Sequence, residues 1–545
     1  MSCIRKTLAI AVCILTLTTG KAVQTRRSSG PVMAESALST DRDNPAVWRA
    51  AAPLPAKSTY SGSYAKTDVP RTGDHEYVLI LVDFTNRHFT IADTTALRNR
   101  FHYMFNGHGY SDTATYRHND ITYKAPTGSV SEYFHDQSFG AYNPSFRIVG
   151  PVHPSKEYAY YGRNKDAKVK EMIREVCDSL MARGEIDLTK YTRNGRENGN
   201  IDNLCIIYAG RGENYNGADP DCIFPHSDVI TGCNRLGSVT YACSCELFWD
   251  SDTIIDGIGT ICHEFAHTLG LPDFYYMNDD GQETGAAMGY WSLMDYGNYE
   301  NQGFSPVGMT AFEKYSLGWM DLEEIREAGY YYLHDISHKP DSKNDIHSAY
   351  RLNVSNSDND FIILENHTQT GWYKYHASDG LMVTAVSYSP SLWEGNRVNN
   401  DASNRHYYIL PADNDSKRES SQGDLFPYNG IDSITVAGAP RLSVGNTAAP
   451  HSIYFIRKAD QKAAFFVGPD KASRTERIAG SGTDIRIIDG KLSVKAPAGS
   501  RLTVHDISGK AVIETTVTEP GQLFTLPGNG IWIIRCGDKT RKVRN

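Results

Sequence analysis

His263 and His267 stand four residues apart in the stretch 253–276, TIIDGIGTICHEFAHTLGLPDFYY. On an α-helix that spacing puts both imidazoles on one side, one turn apart. Two imidazoles so placed can converge on one Zn²⁺. Ile258, Ile261, Cys262, Phe265 and Leu269 recur at helical spacing and give the segment one apolar face. Glu264 follows the first histidine, from where its carboxylate can reach a water on the metal without being a ligand. Gly270 stands where a helix can end in a left-handed turn, which glycine adopts without strain. Leu271 and Pro272 then reverse the chain, and Asp273 can return as a third ligand. A fourth position is left for water, the arrangement of a catalytic rather than a structural zinc site.

A bare HExxH arises by chance in roughly a few per cent of chains with this histidine count. Requiring Gly270 and Asp273 as well lowers that to roughly one in several thousand. Shortly downstream, residues 291–297 read WSLMDYG. A methionine in a tight turn beneath the ligands is the metzincin arrangement, and the Met294 thioether would give the site an adaptable floor. Tyr296, two residues on, is a candidate catalytic residue whose hydroxyl could hydrogen-bond a developing oxyanion.

The elements that must position these groups sit in a chain of 545 residues, enough for about three domains. Hydrophobic residues make up 40% and charged residues 22%. That excludes a disordered tail protein, a collagen-like chain and a small disulfide scaffold. A net charge of −9 without basic runs excludes the usual nucleic-acid binder. The 33 Tyr and 46 Gly, against 19 Phe, point to β-rich, turn-rich structure. Residues 1–22 read as a signal peptide, with Arg5 and Lys6 before a ten-residue apolar run too short to span a bilayer. Residues 23–73 are polar, small and proline-spotted, a pro-segment or leader in which Glu35, Asp41 and Asp43 are candidates to occlude a metal. Ten cysteines are present, and eight remain once Cys3 and Cys13 leave with the signal. Cys222, Cys233, Cys243 and Cys245 crowd one stretch, where export predicts one or two disulfides, with a zinc site as the rival. Cys205 and Cys262 lie in apolar runs as buried thiols. From about Thr475 short alternating runs separated by Gly and Asp turns predict a small all-β domain.

Residues 75–320 resemble the catalytic domain of the immune inhibitor A-type family of secreted zinc metalloproteases. The likeness rests on residues 77–84 (YVLILVDF), 129–140 (SVSEYFHDQSFG), 160–162 (YYG), 206–210 (IIYAG), 224–226 (FPH), Cys245-Glu246, the zinc motif and 313–319 (EKYSLGW). It extends into 327–470 through 361–365 (FIILE), Gly380-Leu381 and 423–427 (GDLFP), although Thr384 to Val386 stand where the family has a histidine. His226 matches a family position. The family's Asp/Gly-rich loop is here Asn194 to Asp202, poor in the carboxylates calcium prefers, and Asp279-Asp280 offers another place for structural Ca²⁺. The last 70 residues resemble the sorting domains of type IX secretion cargo in Bacteroidetes, through 504–510 (VHDISGK), 530–535 (GIWIIR) and the basic ending Lys539 to Arg544.

The resemblances and motifs together predict an α+β fold. A metzincin-like zinc metalloprotease domain spans 74–326, an all-β segment 327–474 and a C-terminal β-sandwich sorting domain 475–545. The expected activity is a secreted or surface-anchored, monomeric zinc endopeptidase acting on protein or peptide substrates. Zn²⁺ would rest on His263, His267 and Asp273, with Glu264 as general base and Tyr296 on the oxyanion. The C-terminal domain would engage outer-membrane secretion machinery. Two rivals are an inactive metalloprotease-derived adhesin and a zinc hydrolase acting on non-peptide bonds.

Overall fold

The computed structural model describes residues 69–544, except 111–115, 119–120, 124–125, 215–218, 220, 250, 277–286, 342, 344–345, 355–357, 402, 416–420, 460, 470–483, 489–490, 497, 507–509, 519–521, 529 and 537–538. The expected signal peptide and nearly all of the leader, with Glu35, Asp41 and Asp43, lie outside the described residues, as do Asp279 and Asp280. The described residues up to Gly468 form one compact unit and the described residues from Pro469 a second. The fold is mixed α+β, as expected.

A five-stranded sheet organises the first half. Its strands are β1 (Gly73–Val82), β2 (Tyr142–Val152), β3 (Ile201–Arg211), β4 (His226–Thr231) and β5 (Ser238–Leu247), in the order β2-β1-β3-β5-β4. All neighbours pair in parallel except β4, an antiparallel edge strand. Strands buried on both faces read as continuous apolar runs, which is why 77–82 is YVLILV. Successive side chains point to opposite faces. Leu79, Leu81, Cys205 and Ile207 therefore join one core, and Val78, Ile80, Val82, Leu204 and Ile206 the other.

A helix covers each face. On one, α2 (Val169–Ala182) buries Val169, Met172, Ile173, Val176, Cys177 and Leu180. On the other, α3 (Gly259–Thr268) buries Ile261, Cys262, Phe265 and Ala266. Helix α1 (Val130–Gln137) precedes both and starts with a capping box between Ser129 and Glu132.

The expected disulfides are not formed. All eight described cysteines are free, buried thiols. Cys243 and Cys245, two apart on β5, share a face, and with Cys222 and Cys233 they pack into the core beneath α2 as small apolar groups. No metal-holding cluster of cysteines occurs among the described residues. Cys205 and Cys262 are buried as expected.

The β-rich stretch that follows packs onto the first sheet's core rather than apart from it. Strands β6 (Glu323–Glu324), β7 (Ala349–Asn353), β8 (Asp360–His367), β9 (Gly380–Ser387) and β10 (Tyr407–Ile409) form a sheet of order β10-β9-β8-β7-β6. Phe361, Ile363, Met382 and Tyr407 share the core of the α3 helix, while Ile362, Leu364, Leu381 and Val383 face a separate one. Helix α4 (Ala311–Ser316) opens on a second capping box, Thr310 with Glu313. Buried Glu313 also accepts from Ser292 Oγ at 2.6 Å and from the Met294 amide at 3.0 Å, clamping the turn that carries Met294.

In the C-terminal unit, seven strands among the described residues form a three-stranded and a four-stranded antiparallel sheet. Leu492 and Val494 of one sheet and Leu502, Val504 and Ile534 of the other share one core.

His376 is the buried group with the clearest pH consequence. Its ring lies 4.4 Å from Trp291 and 5.1 Å from His367. Burial, and secondarily His367, hold its pKa well below the usual 6.5. In the unfolded chain it takes a proton near pH 6.5; in the folded chain it does not. Folding stability is thus present above that pH and is lost below it, by about 1.4 kcal/mol per pH unit from this group. Urea denaturation between pH 7 and 5 is expected to follow that slope, and His376→Gln to flatten it; an unchanged slope would remove His376 as its source.

Candidate metal centre

The α3 helix ends at Gly270 in the left-handed conformation, φ +100°. The Gly270 amide donates to His267 O and the Leu271 amide to Ala266 O, the two bonds of a Schellman ending. That ending turns the Leu271 carbonyl back toward the helix, where it accepts from His267 Nδ1 at 2.8 Å. His263 Nδ1 donates to Leu293 O at 2.8 Å, within the turn that Glu313 clamps. With both Nδ1 atoms donating, each neutral imidazole presents a lone pair at Nε2.

Both Nε2 atoms face the same oxygen. Asp273 Oδ1 lies 3.1 Å from His263 Nε2 and 3.1 Å from His267 Nε2. That oxygen is buried, with the two imidazole nitrogens facing it. Three lone-pair donors thus converge in a buried place, an arrangement that a cation between them satisfies. Burial opposes charge on His267, yet Asp273 raises its pKa to about 9. Burial would lift the Asp273 carboxyl, but the two imidazoles hold it far below the ordinary carboxylate range. The donor set, two imidazole nitrogens and one carboxylate oxygen, fits zinc.

Glu264 lines the same cavity, of about 470 Å³. Burial raises its carboxyl pKa, and both imidazoles pull against that rise. A larger recess of about 810 Å³ opens near the starts of β1 and β3, lined by His75, Glu76, Arg147, Lys190 and Asp202 among others. It holds none of the groups of metal-capable side chains, so volume alone does not mark the site.

Tyr296 is not part of the cavity lining. Asp295 caps its amide and also accepts from the Met288 and Gly289 amides, and the Tyr296 ring turns toward Tyr290 at 6.0 Å. The tyrosine in the lining is Tyr275, stacked on His263 at 6.3 Å and 21°. Burial first, and the Asp273 and Glu264 charges next, keep its hydroxyl protonated far above neutral pH. Its position two residues after Asp273 was the available sequence signal.

The β-rich stretch supplies one wall. Helix α5 (Pro390–Glu394) leads to Asn396, whose side chain donates to Asp273 Oδ2 at 2.6 Å and accepts from the Asp273 amide at 2.6 Å. Asn396 thereby fixes which carboxylate oxygen turns to the imidazoles, and no local pattern announces it. His226 lines the cavity, but both its nitrogens are engaged, Nδ1 with Phe224 O and Nε2 with Tyr241 Oη, each at 2.7 Å.

Structural calcium finds no support. Two groups of three or more metal-capable side chains occur among the described residues: the triad above, and Asp83 with His88 and His153. Neither is a cage of six to eight oxygens. In the expected loop, Asp202 is already paired with Arg193 at 3.1 Å.

Known proteins are similar to part of this chain. It is similar to the "Pre-pro-metalloprotease PrtV" of Vibrio cholerae, 29% identical over 243 residues that cover 38% of this chain and 26% of that protein. It is similar to "Immune inhibitor A" of Bacillus thuringiensis, 26% identical over 241 residues that cover 36% of this chain and 34% of that protein. The aligned part spans about a quarter to a third of the length of these curated relatives. Residues 65–323 match the family described as "Immune inhibitor A peptidase M6, catalytic domain", a segment that contains the whole donor set and Glu264.

Proposed function

We propose that this chain is a secreted zinc-dependent endopeptidase. The observation that carries the reading is the convergence of His263 Nε2, His267 Nε2 and Asp273 Oδ1 in a cavity shared with Glu264. The match to a metallopeptidase catalytic domain supports it. Zinc held by the three ligands would supply Lewis-acid charge, polarising a scissile carbonyl and lowering the pKa of a water. Glu264 takes the proton as water attacks the carbonyl carbon, then delivers it to the leaving amine. Its raised pKa suits both halves of that task. Tyr275, a protonated donor in the cavity, is placed to hydrogen-bond the oxyanion, with Tyr296 as the alternative donor.

A peptide substrate is favoured by the edge strand β4. Its first residues, His226 and Ser227, line the cavity, and an extended peptide could pair along an edge strand by backbone hydrogen bonds. The C-terminal unit is proposed as the sorting domain that directs export, on its strand pattern and the 504–510 and 530–535 motifs.

Casein hydrolysis that chelator abolishes and zinc restores is expected; its absence in the processed protein would favour the adhesin reading. Glu264→Ala should lower hydrolysis by about 10²–10⁴-fold with zinc still bound. Asp273→Ala should lose zinc on dialysis, and full metal retention would remove Asp273 from the ligand set. Tyr275→Phe should lower kcat by about 10²-fold with little change in KM, whereas the same loss in Tyr296→Phe alone would give the oxyanion role to Tyr296. In the native host, a chain ending at Gly468 should fail to reach the medium or surface; normal export would sink the sorting role.

A further inference from the structure

Val82 at the end of β1 pairs with Val152 at the end of β2, and the Asp83 amide donates to Val152 O at 3.2 Å. The residues that follow these parallel strands, Asp83 and His153, therefore stand side by side. Phe84 and Arg87 exchange backbone hydrogen bonds in a tight turn, which returns His88 to Asp83. His88 Nδ1 lies 3.1 Å from Asp83 Oδ2 and His153 Nδ1 2.5 Å from Asp83 Oδ1. One ligand atom from each of the three residues lies within 4.8 Å of the others. The two rings are perpendicular, at 89°, with centroids 6.1 Å apart.

Asp83 is buried, its side chain only 7% exposed, and each of its oxygens faces an imidazole nitrogen, Oδ2 that of His88 and Oδ1 that of His153. A buried carboxylate costs free energy unless donors or a cation meet it, and a cation between the three groups would meet it with both imidazoles neutral. The imidazoles are 62% and 48% exposed and leave an approach from solvent. The turn is held from its other side. Buried Glu246, on β5, accepts from Thr90 N and Thr90 Oγ1 at 2.7 Å each and from the Gly210 amide at 3.1 Å.

We propose that Asp83, His88 and His153 form a second metal site, for a divalent transition ion such as Zn²⁺. Two imidazole nitrogens with one carboxylate oxygen select zinc, cobalt, nickel or copper over calcium, which needs six to eight oxygens. The ion fastens the ends of β1 and β2 to the 84–88 turn, so its role is to stabilise the strand ends. None of the three residues lines the cavity of the first triad.

The test uses the full chain carrying His263→Ala and His267→Ala, which removes the first site and makes the readout independent of any peptidase activity. After chelator treatment and dialysis, titration with Co²⁺ followed by visible absorption, and with Zn²⁺ by calorimetry, should show one saturable equivalent. Saturating Zn²⁺ should also raise Tm by a few degrees. Adding His88→Gln and His153→Gln, both at well-exposed positions, should abolish the equivalent and the Tm rise. Asp83→Asn, which keeps the side-chain shape, should do the same. No saturable binding in the first background, or binding that survives these substitutions, would overturn the second site and leave Asp83 as a carboxylate shared between two imidazoles.

Discussion

Three lone pairs aimed at one buried point are the constraint around which the first half of this molecule is arranged. Each Nε2 lone pair is set by the bond at the other ring nitrogen: His263 and His267 give their Nδ1 protons to the Leu293 and Leu271 carbonyls. Those carbonyls are held by different devices. Leu271 is fixed by the Schellman ending at Gly270, a purely local piece of backbone geometry. Leu293 is fixed by Glu313, which reaches across from α4 and holds Ser292 and Met294 with a buried carboxylate. Asp273 is oriented from a third direction by Asn396. Rigid supports of this kind let a site hold donors that repel one another until a cation is bound.

The sheet supplies the rigidity. Alternation along β1 and β3 divides their side chains between two cores, so α3 rests on a floor packed on both sides. The core on the α3 face continues into β8, β9 and β10, and this continuity delivers Asn396 to Asp273. The β-rich stretch is thus a structural partner of the site as well as a neighbour in sequence. The ends of the same parallel strands, where backbone pairing stops, bring Asp83 beside His153. Crevices beyond the carboxyl ends of parallel strands are general places for ligands, because chain segments diverge there and leave room.

The four clustered cysteines illustrate how context redirects a composition argument. Export and spacing favour disulfides, but strand β5 aims Cys243 and Cys245 to the same side, and the layer beneath α2 buries Cys222 and Cys233 with them. A thiol in such a layer behaves as a small hydrophobe. Tyr296 is legible two residues after Met294; in the fold Asp295 caps its amide and its ring lies 6.0 Å from that of Tyr290.

What the amino-acid sequence determined by itself is whatever depends on fixed local periodicity. Four-residue spacing aligned His263 with His267, glycine ended the helix at Gly270, a short reversal returned Asp273, and apolar runs marked the buried strands. The capping boxes at Ser129 and Thr310 are of the same kind, since their partners lie three residues away. What only the tertiary structure decided depends on register and packing between distant segments. Asn396 reaches Asp273 across 123 residues, and His153 reaches Asp83 because Val82 pairs with Val152. No spacing rule encodes such meetings, because a one-residue slip of a strand would send every side chain on it to the opposite face.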